Sequence, residues 1–258
     1  MRSRLLTLGL ALFLAACTAT LPSPVVPREL SGVISEDLTL SGNVLLTGDL
    51  LILPGRTLTL LPGTTLRIRT SESTKIDPEY LSSYTEILVL GTLNAVGTAS
   101  APISFIPETP VVGDEIAWAG ITFDRTAGGA VRQTWIDGAE QGILVIASAP
   151  NLSENTIRHC RYGIVAQGQG SAVIHDNQIT DGEGGLFILA GATPDIVGNH
   201  ISAQVEEGLF VDADSSPHLG RNEITGNAIG LLLHNSSLPF ERSGISGNRE
   251  DLRMIVRE

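Results

Sequence analysis

Apolar and polar residues alternate in short bursts along most of this 258-residue chain, and the bursts recur at a fixed spacing. A Gly followed by an apolar residue stands at Gly120-Ile121, Gly142-Ile143, Gly163-Ile164, Gly185-Leu186, Gly208-Leu209 and Gly230-Leu231, at steps of 22, 21, 22, 23 and 22 residues. Eight or nine residues earlier runs a second column, Thr134, Asn155, Asn177, Asn199 and Asn222, which Asn248 continues after an insertion at Ser236 to Phe240. A third column, Val131, Leu152, Ile174, Ile196, Leu219 and Ile245, lies three residues before the Asn positions. Period-two alternation bounded by Gly, Asn, Asp and Pro reads as strands and turns, not helices. One repeat is too short for a self-contained sheet, so it predicts one coil of an all-β solenoid whose strands pair with the next coil at ~4.8 Å. Nine or ten such coils would stack to about 45 Å. Asn tolerates the left-handed conformation of a tight bend, and stacked amides can bond along the axis, so the Asn column has a structural reading.

The alternation sorts side chains by face. In each Gly-led strand Ile121 and Phe123, Ile143 and Val145, Ile164 and Ala166, Leu186 and Ile188, Leu209 and Val211, Leu231 and Leu233 point inward. The residues between them point out and read Thr122, Leu144, Val165, Phe187, Phe210, Leu232. Two Phe offer about 150–250 Å² each, so five stacked apolar side chains approach the area of the largest patches on monomers, ~300–600 Å². The stripe is expected to be covered, either by a loop or the C-terminal Leu252 to Val256, or by a partner or second copy of the chain.

The Gly-Ile strands with an Asn ladder at this period resemble the single-stranded right-handed parallel β-helix of the pectate-lyase-like superfamily. The resemblance is strongest over residues 103–248. Earlier segments such as Leu50-Leu51-Ile52, Leu58-Thr59-Leu60 and Gly91-Thr92-Leu93 look like the first coils of bacterial surface β-helix proteins. One β-helix domain is therefore expected over 29–258, with a C-terminal cap at 249–258.

Composition agrees with a narrow aliphatic interior: 42% of residues are hydrophobic but only 4% aromatic, and 28 are Gly. The formal net charge of -12 argues against nucleic acid as a partner. Residues 1–17 read as a secretory leader, with Arg2 and Arg4 before an apolar run from Leu5 to Ala16. The run ends Leu14-Ala15-Ala16-Cys17, which resembles a bacterial lipobox and implies lipidation of Cys17 and a membrane anchor. Residues 18–28, with Pro22, Pro24 and Pro27, read as an extended tether of about 30 Å. Thr18 rather than Asp after the Cys resembles the outer-membrane sorting pattern of Gram-negative lipoproteins, so the expected address is the cell envelope. Cys160 then has no disulfide partner and is expected to be buried and inert.

The resemblance also says where to look for chemistry. Lyases of that superfamily surround Ca²⁺ with carboxylates and use an Arg or Lys base, and glycosidases cluster carboxylates. The nearest match is the turn before the Gly-led strands, with Glu140, His159, Arg161, Asp181, Glu183, Glu206 and Glu207 on successive coils. Asp181, Glu183, Glu206 and Glu207 are the candidate Ca²⁺ ligands, and Arg161, Asp181, Glu183 and Glu206 the candidate catalytic set; no other cofactor is read from the chain. A solvated acidic turn explains the same residues. The five His, at 159, 175, 200, 218 and 234, fall in different registers and do not predict a metal site. Two interruptions, Ser71 to Glu86 with Lys75, Tyr80 and Tyr84, and Pro107 to Trp118, offer aromatic rings either to stack on sugars or to seal the solenoid flank.

Three functions fit these residues. One is a non-catalytic cell-envelope lipoprotein that binds glycan or a protein partner on an outer face. The second is a polysaccharide lyase or glycoside hydrolase using the acidic turns. The third is a structural surface protein that self-associates through the apolar stripe.

Overall fold

Three short strands make each regular coil, because three left-handed corners interrupt the alternation. One coil runs Val173–His175, Gln178–Thr180 and Gly184–Leu189, and the next runs Asp195–Val197, His200–Ser202 and Glu207–Val211. Each strand pairs in parallel with its counterpart one coil on. The first strands of the coils form an eight-stranded sheet, and the second and third strands run together in a 17-stranded sheet. In this computed structural model, which describes residues 27–71, 84–111, 113, 115–126, 128–234 and 237–255, the chain is a parallel β-solenoid of about nine coils of ~22 residues. The leader, Cys17, most of the tether, Lys75 and Tyr80 lie outside the described residues.

The corner between the first and second faces corrects the expected role of Asn. The left-handed residue is the one before it: Gln133, Glu154, Asp176 and Gly198 have φ of 49°, 58°, 54° and 74°. That bend turns the following side chain inward, so Asn155, Asn177 and Asn199 are buried. Asn177 Nδ2 donates to Leu152 O and to Asn199 Oδ1, both at 2.9 Å. Its Oδ1 accepts the backbone N–H of Asn155 at 3.1 Å and Asn155 Nδ2 at 2.9 Å. The file begins at Thr134 and reaches Asn222.

Asn248 is not in that file. It stands in a second one at the next corner, Gln204–Asn227–Asn248, where Asn227 N donates to Asn248 Oδ1 at 2.9 Å. Ile245 moves with it, bridging to Ile224 instead of continuing from Leu219. An apolar residue three before an amide occurs at both corners, as Leu219/Asn222 and Ile224/Asn227, so spacing alone does not choose between them.

Leu, Ile and Val fill the interior, with Phe105, Trp118 and Phe123 as its largest fully buried side chains. Trp118 is therefore core rather than a loop ring: it stacks on Phe105 at 6.5 Å and donates its indole N–H to Asp137 O at 2.9 Å. The described part of the C-terminal segment does not lie over the outer stripe. Glu250–Met254 is a further strand, pairing with Ile229–Leu233.

Candidate functional site

At the corner between the second and third faces, Gly138, His159, Asp181 and Ala203 take φ of 70°, 49°, 58° and 56°. The next residue turns in, placing Cys160 and Gln204 in the core, and the one after turns out again. Arg161, Glu183 and Val205 thus project from successive coils on one ridge. Beside the ridge rises the Pro107 to Trp118 insertion, whose Pro107, Pro110, Val111 and Ile116 form the facing wall of an open groove of about 890 Å³. Its floor carries Asp137, His159, Asp181 and Glu183.

The charges in the groove are largely satisfied within it. Asp137 accepts from Arg158 Nη2 at 3.1 Å, and its other oxygen lies 2.9 Å from His159 Nδ1. Arg161 Nε donates to Glu183, and its guanidinium lies 5.6 Å from the centre of the Tyr162 ring. The Glu183 hydrogen bond pushes the Arg161 pKa further up, away from the neutral form that a proton-abstracting base needs. Burial, with Glu183 second, raises the Tyr162 pKa.

The structure brings Arg161, Asp181 and Glu183 into the groove but not Glu206 or Glu207. Glu206 is exposed beyond the groove lining, near enough to Tyr162 to act on its charge. Glu207 pairs in register with Ile229 at the start of its strand. Among the described residues no three His, Cys, Asp or Glu side chains converge to hold a cation, so the expected Ca²⁺ cluster does not assemble there. Cys160 is 3% exposed, and burial pushes its thiol up to about 12.

The outer stripe is real in register and different in exposure. Thr122, Leu144, Val165, Phe187, Phe210 and Leu232 do stack coil on coil. Leu144, Val165 and Leu232 are nevertheless buried, at 4%, 6% and 5%, and both Phe rings are half-buried. The rings make a continuous aromatic ladder: Tyr162 to Phe187 edge-on at 5.0 Å, Phe187 to Phe210 stacked at 5.5 Å, and Phe210 to His234 at 5.3 Å. Phe187 lies back over Gly184, where a Cβ would stand 2.2 Å from its Cε2.

Sequence reasoning missed Asp137 and the wall of the insertion as parts of a groove. It also passed over Trp135, which is 51% exposed. Its signal was present: Ile136 occupies the inward column of Ile157 and Ile179, so Trp135 must point out.

A family model described as "Periplasmic copper-binding protein (NosD)" matches residues 103–241, more than half of the chain. No curated protein and no solved structure matches. Copper favours imidazole and thiolate ligands, and all five His lie among the described residues. Three are engaged separately: His159 with Asp137, His200 with Glu223 at 3.3 Å, and His234 against Phe210. His175 and His218 approach different oxygens of Asp195, at 2.7 and 2.6 Å. With the Cys160 thiol buried and protonated, the described residues do not fit a copper centre.

Proposed function

Because the chain belongs to the periplasmic copper-binding protein (NosD) family, we propose that it is a non-catalytic cell-envelope scaffold that binds a glycan or protein partner on the outside of its solenoid. The periplasmic address in the family's name agrees with the leader and with a lipid anchor at Cys17. One observation carries the proposal: the groove between the insertion and the corner ridge is large and open, and most of its charged side chains are already engaged, Arg161 with Glu183 and Asp137 with Arg158 beside it, while Asp181 accepts from the Thr180 hydroxyl. Asp137–Arg158 and Arg161–Glu183 present fixed hydrogen-bonding edges beside apolar Pro107, Val111 and Val205. Such a surface favours holding a ligand over moving a proton. No role is assigned to copper, since the described residues do not assemble a site for it.

The lyase or hydrolase reading draws support from Arg161, Asp181 and Glu183 sharing one groove. The raised Arg161 pKa weighs against it. A glycan array probed with soluble 18–258 protein, with and without Ca²⁺, tests the binding role. The expected result is retention of at least one glycan class without chain cleavage, weakened by Val205→Asp. Release of new reducing or unsaturated ends from a retained glycan would establish catalysis instead, and an array with no retained glycan would remove the glycan from the proposal.

A further inference from the structure

The second face of the solenoid holds its charged side chains in matched pairs. Its outward positions form two parallel files. One runs Ser104, Trp135, Thr156, Gln178, His200, Glu223 and the other Asp137, Arg158, Thr180, Ser202, Thr225, each residue in register with the next. Seven of these eleven side chains are not ionisable, on a chain with a net charge of -12. The other four are matched on the face itself, Asp137 with Arg158 and with the neighbouring His159, and His200 with Glu223. Within the strip the outstanding feature is the indole of Trp135, half exposed between Ser104 and Thr156.

We propose that this strip binds a neutral, linear polysaccharide, with Trp135 stacking on one sugar ring and the hydroxyl and amide files bonding to its neighbours. The proposal rests on the binding role argued above and names the class of ligand. An indole exposes a large apolar face, which suits the C–H face of a pyranose. Thr, Ser and Gln both donate and accept, as sugar hydroxyls do. A strip whose charges are paired with one another offers no free charge to select a uronate, a sulfate or a basic protein. Coil stacking sets the files at a ~4.8 Å pitch along the solenoid axis, so the face suits an extended chain. It is also continuous with the groove: Asp137, two residues beyond Trp135 on the same strand, forms part of the groove floor.

The chain has two Trp, and Trp118 is fully buried, so ligand-dependent change in Trp fluorescence reports on Trp135. Soluble 18–258 protein is titrated with cellohexaose, xylohexaose, chitohexaose and, as the acidic comparison, hexagalacturonate. The expected result is a saturable fluorescence change with at least one neutral oligosaccharide and a smaller one with hexagalacturonate. By calorimetry, Trp135→Ala should weaken binding about tenfold or more, as loss of a central aromatic anchor does, while Trp135→Phe retains part of it. An unchanged melting temperature for Trp135→Ala shows that the loss is local. Equal binding by Trp135→Ala and the parent chain overturns the strip while leaving the binding role intact. Preference for hexagalacturonate overturns the neutral class, and no saturable change with any of the four overturns both strip and class.

Discussion

A single buried amide does more here than a single apolar side chain. Asn177 holds the backbone of two coils and the amides of two neighbours, and no water is needed to complete it. Asn177→Ala would leave the Asn155 N–H and one proton of the Asn155 side-chain amide without their acceptor, at ~1–3 kcal/mol for each buried group. Urea unfolding should therefore show a loss of about 3 kcal/mol or more; a loss under about 1 kcal/mol would mean the ladder is decorative. Cys160 makes a quieter test. Burial raises its thiol to about 12, so in the folded chain it stays protonated where an unfolded thiol, at about 8.5, has begun to ionise. A raised folded-state value contributes stability that is complete below the unfolded one and is lost as pH climbs toward the folded one. Folded 18–258 protein, whose one thiol this is, should resist iodoacetamide at pH 9 and react promptly in urea. Prompt reaction of the folded chain would refute the burial.

Strands and corners are where sequence and structure can be compared element by element. The Gly-led strands were legible because their Gly are required sterically: a Cβ on Gly163 would meet Ile179 Cγ2 at 2.4 Å and Gly185 O at 2.7 Å. Gly184 looks similar in sequence and differs in kind, since its obstacle is the far edge of the Phe187 ring. Gly163→Ala should cost about 1–3 kcal/mol by overpacking, whereas Gly184→Ala should cost less and swing Phe187 outward, raising binding of a hydrophobic dye. Equal losses of stability would contradict that distinction. The inward and outward columns were equally legible, and Trp135 with them. The groove was not, because its wall comes from an irregular insertion and its other side from a corner set by a left-handed backbone, which His159, Asp181 and Ala203 do not advertise. Asn248 was misfiled for a related reason: two corners carry the same apolar-to-amide spacing, and only strand pairing tells them apart.

At the scale of the whole molecule, a solenoid is a row of neighbours, each coil stabilised chiefly by the two it touches. Its ends are therefore its weak points, and an open strand edge invites another chain. Among the described residues, Glu250–Met254 pairs on one side alone, with Ile229–Leu233. It carries Glu250, Asp251 and Arg253, and Arg253 Nε donates to Glu250 at 3.0 Å. Those charges suit a stop. The strand beneath, Ile229–Leu233, is buried throughout and has no charge of its own, so uncovering it would expose both an apolar surface and unpaired backbone. Deleting residues 249–258 should convert the soluble protein to dimers or larger species by light scattering, with its β-rich circular dichroism retained. Replacing Glu250 and Arg253 together by Val keeps the strand but removes its charges, and should give weaker, concentration-dependent association. If the deletion leaves the mass unchanged and the circular dichroism intact, the last strand is not what keeps the stack from growing.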